Sequence, residues 1–122
     1  MTARLDHTIV FAHDPDRSAS FLADVLSLPT PKHLGPFTVV TVDNGVSLDF
    51  MRTSGPVATQ HYAFHVDDEE WDAGFAYVTG LGLPYWADPY RSRPGEVSHA
   101  GSGRRVYFED PDGHFLEIFT QP

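Results

Sequence analysis

Apolar and polar positions alternate with a period of two in some stretches of this chain and recur every three or four residues in others, and the changes of period mark its elements. Residues 4 to 11 (RLDHTIVF) read as a strand from their β-branched and aromatic content. Asp14-Pro15 follows, an N-cap with proline at the first helical position. Phe21, Leu22, Val25 and Leu26 then form one apolar face of a helix over residues 15 to 26, which Leu28-Pro29 ends. Residues 37 to 43 (FTVVTVD) and 46 to 52 (VSLDFMR) predict two short strands joined through Asn44-Gly45, with a weak extra strand near 32 to 36.

After a Thr/Ser/Gly/Pro-rich linker at 53 to 59, the order begins again. Residues 60 to 66 (QHYAFHV) predict a strand. Asp67 with Glu70 three residues on forms a capping box for a helix whose apolar stripe is Trp71, Phe75 and Val78, and Gly80 and Gly82 stop it. Tyr85 to Ala87 predict a short strand, and a polar loop from 88 to 103 leads to strands at 104 to 109 (RRVYFE) and 115 to 120 (FLEIFT), joined by the turn Asp110-Pro-Asp-Gly113. The order of elements therefore repeats even though residue identities do not. The expectation is an α+β chain of two β-α-β-β-β modules, about 4–52 and about 60–122, forming a cupped sheet with helices on the outer face, within a single domain over 1–122.

Alternation assigns faces to these strands. Tyr62, Phe64, Val66, Leu116, Ile118, Leu48, Phe50, Val106 and Phe108 make an apolar set suited to packing under the helices. The opposite phase carries His7, Ile9 and Phe11; Ser47, Asp49 and Met51; His61, Ala63 and His65; and Phe115, Glu117 and Phe119. A solvated face would carry more Lys, Thr and Arg, and a core would not hold so many ionisable groups. A concave site fits both observations. His7 and His61 take equivalent places in the opening strands of the two modules, and Asp49 and Glu117 equivalent places in the closing strands. Two imidazoles with one or two carboxylates suit one divalent metal ion of the Fe, Mn, Ni, Co or Zn type, with His7, His61 and Glu117 as ligands and Asp49 as a possible fourth or as a group that orients a water or a histidine. His65 lies on the same strand face as His61, as a base or a pocket wall. His13, His33 and His114 fall at element ends and are expected at the surface.

Composition narrows the partners. The chain has 122 residues, no cysteine and a formal charge of -9, which removes thiolate metal sites and disulfides and disfavours nucleic acid and anionic membrane. No apolar run is long enough for a leader or a membrane span, so a cytoplasmic protein acting on a small-molecule substrate is expected. The cations are clustered, with Arg91, Arg93, Arg104 and Arg105 making up half of the eight Lys plus Arg. Long loops of this kind often act as lids, so Arg91, Arg93 and Arg105 are candidates to fork a substrate anion, with Phe11, Trp86 and Phe119 as walls.

The stretches LDHTIV, HYAFHV and GRRVYFEDPDGHFLEIF resemble the vicinal oxygen chelate superfamily, which includes glyoxalase I, fosfomycin resistance thiol transferases, extradiol dioxygenases, methylmalonyl-CoA epimerase and bleomycin resistance proteins. The resemblance covers nearly the whole chain. It implies the same three metal ligands, His7, His61 and Glu117. By likeness to glyoxalase I it gives Asp49 a proton-shuttling place, and by likeness to extradiol dioxygenases it gives His65 or Tyr107 an acid–base role. It implies a homodimer, with the site built within one chain or from halves of two. The activity it implies is that of a metal-dependent lyase, isomerase, thiol transferase or dioxygenase acting on a small substrate that chelates through neighbouring oxygens. The alternative is a bleomycin-resistance-like binding protein without catalysis, for which the acidic balance would suit a cationic ligand.

Overall fold

The computed structural model describes residues 2–122. The first module runs β1 (His7–Ala12), α1 (Pro15–Leu26), β2 (Lys32–Leu34), β3 (Phe37–Thr41) and β4 (Ser47–Arg52). The second repeats it as β5 (His61–His65), α2 (Asp68–Gly80), β6 (Tyr85–Trp86), β7 (Arg105–Glu109) and β8 (Phe115–Phe119). Each module forms its own four-stranded mixed sheet, in the orders β1-β4-β3-β2 and β5-β8-β7-β6, so the α+β reading of two β-α-β-β-β modules holds. The two sheets are not joined into one ladder, and β1 and β5 are both open edges.

The helix ends follow from local chemistry. The Asp14 carboxylate accepts the Arg17 N–H, and Ser27 closes α1 in the left-handed region at φ 56°. Asp67 and Glu70 form the reciprocal capping box of α2. Val10, Ala12, Leu48 and Phe50 of the first sheet and Val106, Phe108, Leu116 and Ile118 of the second are buried together with Leu22, Val25, Trp71 and Val78 of the helices. Tyr62, Phe64 and Val66 are only partly buried because β5 is an edge.

The modules meet through their helices. Gly74 of α2 sits so close to α1 that a Cβ there would lie 2.8 Å from the Val25 carbonyl oxygen and 3.1 Å from the Ile118 Cδ1. The Trp71 indole N–H donates to the Ile118 carbonyl at 3.1 Å and fixes α2 on β8. With the helices against each other, the opposite faces of both sheets are left open, and Ile9 and Phe11 of β1 are each 43% exposed.

His114 departs from expectation. It is 1% exposed, not a surface residue. The Gln60 backbone N–H donates to its Nδ1 at 3.0 Å, which places the ring proton on Nε2, 2.8 Å from the Phe11 carbonyl oxygen. One neutral ring thus ties the end of β1 to the starts of β5 and β8. Beside it, Asp112 accepts from the His13 backbone N–H at 3.1 Å and from the Ser18 hydroxyl at 2.8 Å. His13 and His33 are exposed as expected.

Candidate metal centre

The open face of the second sheet is a grid set by strand register. His61, Ala63 and His65 of β5 stand opposite Phe115, Glu117 and Phe119 of β8, which in turn stand opposite Glu109, Tyr107 and Arg105 of β7. Glu117 is at the centre. Ala63 is its neighbour on β5 and Tyr107 its neighbour on β7.

His61 is aimed by its backbone surroundings. A carbonyl only accepts, so the contact of Nδ1 with the Phe115 carbonyl at 2.9 Å makes Nδ1 the protonated nitrogen. Nε2 then points at Glu117 Oε1, 2.9 Å away. A neutral imidazole of that tautomer would set two lone pairs against each other. The contact needs something positive between the two atoms, and either a proton, carried by the ring or by the carboxyl, or a metal ion fits there. Glu117 is 4% exposed, and its nearest cationic group in the chain is the Arg105 guanidinium, 2.9 Å from Oε2.

The first sheet carries the corresponding group. Asp49 stands opposite Ile9 of β1 as Glu117 stands opposite Ala63 of β5, and it accepts from the Ser47 hydroxyl at 2.8 Å. His7 Nδ1–H donates to the Asp6 carboxylate at 2.7 Å, leaving Nε2 free. That hydrogen bond raises the His7 pKa above its ordinary value, and the Asp49 charge adds to the effect. Both histidines therefore have Nδ1 engaged, with Nε2 free in His7 and facing Glu117 in His61, the orientation that ligating histidines adopt. They do not meet in one chain: among the described residues no three His, Asp or Glu side chains converge closely enough to hold a metal ion.

The other predicted residues surround the centre. Tyr107 is buried beside Glu117, and burial pushes its hydroxyl pKa up, with the Arg105 guanidinium opposing and the Glu117 carboxylate reinforcing the shift. His65 stacks on Phe119 at 5.2 Å, and its Nε2 donates to the Thr120 carbonyl. Trp86 contacts Phe115 at 5.9 Å between ring centres. Arg91 adopts φ 59° in a turn that the Asp88 carboxylate holds through the Ser92 and Arg93 N–H groups. The Arg91 guanidinium lies 4.0 Å from the Phe115 ring centre.

Every arginine of the cluster has a protein carboxylate as partner: Arg91 with Glu109, Arg93 with Glu96, Arg104 with Asp68 and Asp72, and Arg105 with Glu117. These pairs fit arginines that balance nearby acids better than arginines left free to fork a substrate anion. Strand alternation does not single out Asp6, whose only signal in the sequence is that it precedes His7. A groove of about 520 Å³ is lined by Thr8, Leu28, Leu48, Ala63 and His65 among others, and neither His61 nor Glu117 lines it.

A family model described as the Glyoxalase/Bleomycin resistance protein/Dioxygenase superfamily matches residues 4–118. The solved structure of Oxidase ChaP-H1 is 58% identical, covers 99% of this chain and 98% of its own, and superposes with a TM-score of 0.96. Oxidase ChaP-H2 is 52% identical over 100% of this chain and 96% of its own, also with a TM-score of 0.96. Metallothiol transferase FosB of Shouchella clausii is 28% identical over 98% of this chain and 82% of its own length.

Proposed function

The chain belongs to the Glyoxalase/Bleomycin resistance protein/Dioxygenase superfamily, and from that premise we propose that it is a metal-dependent oxidase acting on a small molecule that chelates through neighbouring oxygens. The observation that carries this reading is the His61 Nε2 to Glu117 Oε1 contact, a nitrogen and oxygen donor pair that a divalent metal can bridge in place of a proton. Full-length likeness to two proteins named oxidases supports oxidation among the reactions of the superfamily.

The donor set fits a borderline divalent metal such as Fe, Mn, Co, Ni or Zn. His61 and Glu117 would supply two ligands and His7 of a second copy the third. The open edges of β1 and β5, and the exposed Ile9 and Phe11 beside His7, favour completion of the site by a homodimer. When bound, the metal supplies Lewis acidity toward substrate oxygens and, for iron or manganese, one-electron chemistry.

The protein's own groups do the rest. Phe115, Phe119 and Trp86 wall the site, and in a dimer Phe11 of the second copy would add to that wall. Tyr107, kept protonated by burial, can donate a hydrogen bond from its phenolic oxygen to a substrate oxygen. His65, with Nε2–H held by Thr120, has Nδ1 as its remaining proton acceptor. Asp49 of the second copy would bring a carboxylate base to the same cup. Arg91 and Arg93 form the rim, where ion pairing with Glu109 and Glu96 makes them positioning groups toward Phe115 and the 88 to 103 loop.

Metal analysis of the purified protein should find one divalent ion per chain, and His61→Ala should lose it. Mixing the His7→Ala and His61→Ala chains should restore metal binding and activity, because each mixed dimer regenerates one intact site. Failure of the mixture to recover either property would overturn the shared site. Absence of metal from wild-type protein, with ligand affinity unchanged in His61→Ala, would favour the non-catalytic binding protein instead.

A further inference from the structure

The two oxygens of Glu117 have different surroundings. Oε1 faces His61, while Oε2 is buried and lies 2.9 Å from an Arg105 guanidinium nitrogen, at angles outside those of a hydrogen bond. This is a charge contact within a closed environment, strong in effect because solvent does not reach the carboxylate. The guanidinium is itself anchored by groups that do not depend on any ligand. Its other terminal nitrogen donates to the Gln121 carbonyl at 3.1 Å, and its plane lies over the Phe119 ring, 4.6 Å from the centre. Phe119 is held in turn by His65, the two rings stacked at 1°. The β7 to β8 register places Arg105 across from Phe119 and Tyr107 across from Glu117, so the clamp is part of the sheet.

We propose that Arg105 is a positioning residue for Glu117, a built-in counter-charge that occupies Oε2 and leaves Oε1 as the single donor facing His61. Both of its terminal nitrogens are engaged, by Glu117 and by the Gln121 carbonyl, so it is not the free anion receptor that its place in a loop-side arginine cluster suggests. A planar fork on a stacked ring keeps this geometry where a lysine would hold only a point charge. The role of Oε1 as a ligand rests on the metal-dependent reading; the hold of Arg105 on Oε2 does not.

The test is a double-mutant cycle on metal-stripped protein combined with a spectroscopic readout. Arg105→Met should lower the thermal midpoint by on the order of 5 °C, since it strands a buried carboxylate, with the partial exposure of Arg105 moderating the loss. In the Glu117→Gln background the same change should cost little. Arg105→Lys should recover part of the midpoint. In Co(II)-loaded protein, Arg105→Met should shift the visible absorption bands as the freed Oε2 turns toward the ion. Equal cost of Arg105→Met in both backgrounds would overturn the proposal, because Arg105 would then stabilise the fold without acting on Glu117. An unchanged Co(II) spectrum in a folded Arg105→Met protein would overturn the positioning role. If the wild type takes up no Co(II), the metal-dependent reading fails, while the cycle still decides whether Arg105 holds Glu117.

Discussion

Replacing His114 with phenylalanine keeps the volume of a ring that is 1% exposed and removes both of its nitrogens. Two backbone groups lose their partners, the Gln60 N–H that donates to Nδ1 at 3.0 Å and the Phe11 carbonyl that accepts from Nε2 at 2.8 Å. Both bonds are partly buried, which puts the cost of each at the low end for an unsatisfied backbone group, about 1 to 1.5 kcal/mol. The sum is about 2 to 3 kcal/mol, or on the order of 10 °C in thermal midpoint for a chain of this size. The edge contact of the ring with Tyr62 at 6.3 Å survives the substitution, so packing contributes little to the difference. Urea unfolding at constant m-value is the assay, since an unchanged m shows that only stability has moved. His114→Asn sharpens the result. Its amide oxygen lies near the position of Nδ1 and restores the Gln60 bond alone, so it should recover about half of the loss. A His114→Phe protein within about 0.5 kcal/mol of wild type would show that water replaces both bonds, and the view of His114 as the tie between modules would fall.

Two further predictions follow from the packing and from the surface electrostatics. Gly74→Ala should destabilise the protein by about 1 to 2 kcal/mol in urea, because a methyl group 2.8 Å from the Val25 carbonyl oxygen meets backbone that cannot move cheaply, outweighing the usual helix gain; an equal or raised midpoint would refute the close helix contact. Asp16 accepts from the Thr38 hydroxyl at 2.7 Å and from His33 at 2.8 Å, and the Thr38 bond chiefly holds its pKa below the usual carboxylate value. Its stabilisation is complete above the unfolded-state value and is lost as pH falls through the lowered folded value. Asp16→Asn should therefore be less stable than wild type near neutral pH, and the gap should close on acidification; a gap independent of pH would refute it.

Much of this protein is legible along the chain because its determinants are local. The Asp14 cap, the Asp67–Glu70 capping box and the alternation in each strand depend on neighbours a few residues away, and all three reappear in the structure. The equivalence of His7 with His61 and of Asp49 with Glu117 is also a matter of register within a repeated unit, and the parallel pairing of β1 with β4 and β5 with β8 reproduces it. Other properties depend on groups distant in sequence. His114 looks like a turn residue until the modules dock and its ring meets Phe11 and Gln60. For the arginines the sequence leaves open whether they fork a substrate anion or balance nearby acids, and β7 and the loop decide it by bringing each to a carboxylate. The separation of His7 from His61 and Glu117 belongs to the docked modules: α1 and α2 pack closely through Gly74, and among the described residues the ligand candidates of the two sheets do not converge on one point. Strand period determined which residues share a face, and helix packing decided which faces meet.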